Sequence, residues 1–158
     1  MISRTIMSAT TVVATILFVG AGITHADDSV LAAKLAACPS DGTTVGGVNS
    51  CGKIWALESG QAMLSSDGKL AVEVQGLVLN DATTGDFNGT PDGVTGVAAA
   101  LICNGSLVAQ TDVAPLSATG DATIEAKLAS PSNCFGPVVV LREQYEGNIG
   151  GWLAATGF

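Results

Sequence analysis

The chain is poor in the groups that do chemistry near neutral pH. Its single histidine, His25, lies in a leader-like stretch at the N-terminus. The residues beyond it therefore offer no imidazole. That excludes Ser-His-Asp and Cys-His catalysis and histidine-based zinc or copper sites, and it removes the easiest proton carrier at pH 7. Aromatics are scarce as well, with four Phe, two Trp and one Tyr. Cations are outnumbered, six Lys and Arg against 14 Asp and Glu, for a formal net charge of −8. With no basic cluster to offset it, that balance repels nucleic acid and anionic lipid. No CxxC, GxSxG, Walker loop or HExxH is present. Two Ser-x-x-Lys matches, Ser50–Lys53 and Ser66–Lys69, lack the SDN and KTG motifs that accompany that pattern in penicillin-binding enzymes. Coincidence accounts for them.

What the N-terminus does contain reads as an export signal. Arg4 precedes an apolar run from Ile6 to Ile23, and Thr24-His25-Ala26 supplies small residues ahead of a cut before Asp27. The run is at the short edge of a membrane span, and Ser8, Thr10, Thr11 and Thr15 weaken it further. Residues 1–26 are therefore expected to be removed. The remaining acidic chain, 27–158, is expected in a secreted, extracellular or periplasmic setting, with no membrane insertion.

Four cysteines follow the signal, an even number that in an exported chain points to two disulfides. The local pairing joins Cys38 to Cys51 across a Gly-rich loop, and Cys103 to Cys134. Leu35-Ala36-Ala37-Cys38 also looks like a lipobox, and lipid anchoring at Cys38 is the alternative. Asp27, Asp28 and Lys34 interrupt the apolar run before it, however, and an anchored Cys38 would leave Cys51 without its neighbour. A staple is the better expectation.

From Asp28 to Ala37 the spacing predicts a short helix, capped by Asp28 or Ser29 and stopped by Pro39. The stretch 38–52 reads as a disulfide-closed loop, so 27–52 forms a helix-and-loop leader to a main domain at 53–158. Beyond Lys53 the period becomes two. Asp67-Gly68 and Asn104-Gly105 mark hairpin turns. "DATIEAKL", "PVVVLRE" and "GWLAATGF" add further strands. Seven strands in all suggest an all-β fold, an antiparallel β-sandwich of immunoglobulin-like size, with a small β-barrel as the competitor. Neither Trp lies between Cys103 and Cys134, so the likeness stops at architecture.

The candidate site is the loop Asn80–Gly93. Asp86, Asn88, Thr90 and Asp92 recur at alternate positions, an oxygen pattern suited to calcium, although the glycine and glutamate of an EF-hand are missing. A second candidate set is carboxylate-based: Glu143 and Glu146 flanking Tyr145, and Glu58 with Glu73 on neighbouring strands. Asn88 and Asn104 open N-glycosylation sequons, relevant in a eukaryotic host. These features leave three function classes in order. First is a non-enzymatic surface, structural or interaction module with a protein or glycan partner. The others are a calcium- or glycan-binding module using the 80–93 loop, and a small carboxylate-dependent hydrolase.

Overall fold

The computed structural model describes residues 28–129 and 133–157. The expected signal peptide, 1–26, lies outside the described residues. The elements run β1 (Ser29–Ala37), β2 (Trp55–Ala56), β3 (Ser59–Ser65), β4 (Lys69–Gln75) and β5 (Val78–Leu79). A short 3-10 segment, Ala82–Phe87, precedes β6 (Val94–Cys103), β7 (Ser106–Gln110), β8 (Ala114–Pro115), β9 (Ala122–Lys127), β10 (Val138–Tyr145) and β11 (Asn148–Thr156). The protein is all-β. Nine strands form one antiparallel sheet in the order β7-β6-β10-β11-β1-β3-β4-β9, with β8 also paired to β6, and β2 pairs with β5 as a separate two-stranded layer.

The sheet curls into a half-barrel, and β9 returns into contact with β6 and β8 without joining their ladder. The accumulated twist of successive strands drives that curl. Its concave side is filled by its own residues. Leu64 stands opposite Leu70, which stands opposite Ala126; Ala62, Val72 and Ile124 make the next row. β4 shows the period of two expected beyond Lys53, with Leu70, Val72 and Val74 buried and Glu73 and Gln75 exposed.

Two expectations are corrected. The architecture is a curled antiparallel sheet of nine strands with a separate two-stranded pair, eleven strands among the described residues, where a seven-stranded sandwich of two packed sheets was expected. β2, β5 and β8 are two residues each, too short to leave a periodic signal. The other correction is the N-terminal helix, which is β1. Leu-Ala-Ala-Lys-Leu-Ala-Ala is composed of good helix formers, yet this segment has a partner on each edge. Residues 29–34 pair with β3, and Leu35–Ala37 pair with the end of β11. Each half of its backbone thereby gains a ladder partner. Leu31 and Ala33 face Leu64 and Ala62, while Lys34 is left exposed. Tertiary pairing outweighs local propensity here.

Both disulfides form as the spacing suggested, Cys38–Cys51 across 13 residues and Cys103–Cys134 across 31. Cys38 is fully buried, its N–H bonded to the Leu153 carbonyl at 2.8 Å. The sulfur a lipid anchor would need is in the bridge, so the anchored alternative falls. The bridged loop then lies against the sheet. A Cβ on Gly46, at φ +58°, would sit 2.5 Å from Ile102 Cδ1, so only glycine allows this approach. That covering helps explain why β6 is buried almost end to end.

Candidate functional site

β10 ends in Arg142-Glu143-Gln144-Tyr145. Residues two apart on a strand share a face, so Glu143 and Tyr145 project together. Tyr145 is opposite Val94 in register, and the chain enters β6 through Asp92-Gly93. The β2–β5 pair sets Trp55 against Leu79 beside them. Lys53 follows Cys51 by two residues and is carried in by the disulfide-closed loop. The result is a cleft of about 230 Å³ walled by Lys53, Trp55, Leu79, Asp92, Glu143 and Tyr145.

Its floor is apolar and fixed, Trp55 being 6% and Leu79 2% exposed, whereas the Tyr145 side is open at 46%. The Tyr145 ring leans on Gly93. A Cβ there would lie 3.2 Å from Cε2, and φ at Gly93 is +75°. Glu143 is held from behind, its Oε1 accepting from the Gly151 N–H at 3.2 Å. Asp92 sits at φ +48°, and its N–H donates to Thr90 Oγ1. Beside the cleft, the Asp81 carboxyl is held below the ordinary carboxylate range, first by the Thr83 hydroxyl, then by the Thr83 amide, with Lys53 adding a smaller attraction. Arg142 belongs to the scaffold. Its Nε and Nη2 donate to the Gly150 carbonyl at 3.0 and 2.9 Å, and its Nη1 to Gln110 Oε1 at 2.7 Å.

The structure divides the candidate calcium set. Asn88 Oδ1 accepts from the Asp81 N–H at 2.9 Å, and the Thr90 hydroxyl donates to the Phe87 carbonyl at 2.7 Å, so both oxygens serve the loop's own backbone. Asp86 is on the exposed 3-10 segment, and Asp92 lines the Tyr145 cleft. Among the described residues no group of three or more His, Cys, Asp or Glu side chains is placed to hold a metal ion.

The carboxylate set is divided as well. Glu143 and Tyr145 come together with Asp92, while Glu146 passes into the following turn at φ +49°. Glu58 and Glu73 share a different cleft, of about 670 Å³, with Asp121. Glu73 there accepts from Gln61 Nε2 and Gln75 Nε2 at 3.3 and 3.4 Å, an arrangement of a solvated sheet face. Asn104 staples its own neighbourhood, donating through Nδ2 to the Asn133 carbonyl and accepting from the Phe135 N–H.

Sequence reasoning missed Lys53 and Trp55 as site residues. No local pattern marks them, because a disulfide and a two-residue strand bring them in. Compared with protein-family models, with curated proteins and with solved structures, the chain matches none. Among the described residues no helix is long and apolar enough to cross a membrane.

Proposed function

We propose that this protein is an exported, non-enzymatic interaction module that works by contact, with the Tyr145 cleft as its contact point. One observation carries the reading. Three separate chain segments place an exposed aromatic ring, two carboxylates and an ammonium around one shallow, apolar-floored cleft. Convergent polar groups over an apolar floor are the usual make-up of a recognition site. The two disulfides suit an oxidising, exported setting. The chain beyond His25 also lacks the imidazole that most hydrolytic sites employ.

A second reading has an observation of its own. Asp92 and Glu143 share the cleft, and a carboxylate pair is the machinery of glycoside hydrolysis. One experiment separates the two. A photo-crosslinking residue placed at Glu146, beside Tyr145, should link the exported protein to a partner, and the Tyr145→Ala variant should lose the link. Turnover of chromogenic glycosides that stops in Glu143→Gln would replace the contact reading with the hydrolytic one.

A further inference from the structure

We propose that the Tyr145 cleft binds a neutral pyranose, as a single sugar ring or the end of a glycan. This rests on the contact reading above and gives it a ligand class. The first argument is size. At about 230 Å³ the cleft falls below the roughly 300–1,000 Å³ of sites for drug-sized ligands, which leaves room for one ring-sized group.

The second argument is the set of polar groups. Asp92 and Glu143 only accept hydrogen bonds, Lys53 only donates, and the Tyr145 hydroxyl does both. A ligand that satisfies all of them must itself donate and accept at closely spaced points, as adjacent hydroxyls on a ring do. An ammonium ligand would meet the two carboxylates but leave Lys53 opposed. A phosphate or uronate would meet Lys53 but face both carboxylates, on a chain whose net charge is already −8.

The third argument is the platform. The Tyr145 ring is seated against Gly93 and remains half exposed, so it presents apolar surface with a polar tip to whatever enters. The C–H face of a pyranose is the matching surface. The ring's seat and the Gly151 bond to Glu143 set both groups before binding, which lowers the ordering cost.

Tyr145 is the chain's single tyrosine, so 3-fluorotyrosine labelling puts one 19F reporter in the cleft of the whole folded protein. The labelled protein is titrated with a panel of neutral methyl pyranosides and short oligosaccharides. Tetramethylammonium, methyl glucuronide and inorganic phosphate serve as counter-ligands. A saturable shift with at least one neutral pyranoside is expected, weakened at least tenfold by Asp92→Asn and by Glu143→Gln and unchanged by Glu125→Gln. No shift with any neutral sugar to 50 mM (about the weak limit of useful binding) overturns the assignment. So does an equal shift with tetramethylammonium or with the anions. Loss of the sugar assignment leaves the crosslinking result standing. Sugar binding followed by release of a reducing end keeps the pyranose and overturns the non-enzymatic reading.

Discussion

Arg142 is the only arginine among the described residues, and none of their carboxylates forms an ion pair with it. Its guanidinium bonds to the Gly150 and Ile149 carbonyls and to Gln110, across a stretch where the β10–β11 register slips. A planar fork with five donors can serve that many acceptors, and an ammonium cannot hold the same geometry. Arg142→Ala leaves these acceptors without their donor, and the expected cost is about 1–3 kcal/mol. Urea unfolding of wild type, Arg142→Lys and Arg142→Ala should give midpoints in that descending order. Equal midpoints for all three would mean that the bulge is held by its backbone alone. Sequence spacing could not have shown this, since "LREQYEG" looks like any polar strand end. The same holds for the cleft. Asp92 and Glu143 are fifty-one positions apart, and only the β6–β10 register makes them neighbours.

At the scale of elements, what was legible in the sequence was what is local. The β3–β4 and β6–β7 hairpins announced themselves through Asp67-Gly68 and Asn104-Gly105, and both cysteine pairs through their spacing. β1 was not legible, because its strand state is imposed by β3 and β11 from elsewhere in the chain. That assignment has a direct test at Ala32, which is exposed and opposite Met63. A β-branched residue favours a pleated surface and disfavours a helix. Ala32→Thr should therefore raise stability by about 0.5 kcal/mol, whereas a helical segment would lose a similar amount. The Cys38–Cys51 loop follows the same logic. Replacing both cysteines by serine should lower unfolding stability by about 3 kcal/mol, read from the shift in urea midpoint. It should also weaken ligand effects at Tyr145, since Lys53 lies two residues beyond the bridge.

For the molecule as a whole, the sparse charges are deployed mainly in turns. Asp41, Asp67, Asp81 and Asp121 each have a carboxyl held below the ordinary range, and in each the largest cause is a hydroxyl two residues away: Thr43, Ser65, Thr83 and Thr119. Asp67 is further lowered by Lys127 and Lys69, and Lys127 ties the β3–β4 turn to β9. A carboxyl depressed in the folded chain contributes stability that is complete above its unfolded value and lost as pH falls through its folded value. The loss should therefore begin below about pH 4 and continue into strong acid, small at each exposed site but shared by four turns. Above that, nothing among the described residues carries an imidazole, so none of their side chains has an ordinary pKa between about 5 and 8. The thermal midpoint should be flat from pH 7 to about 5 and decline below about 4. It should rise modestly with added salt near neutrality, where a charge of −8 repels itself. Calorimetry across that range decides the matter. A step centred between pH 6 and 7 would require a proton-binding group that the described residues do not contain, and would refute the view that Asp–hydroxyl turns set the acid limit of this fold.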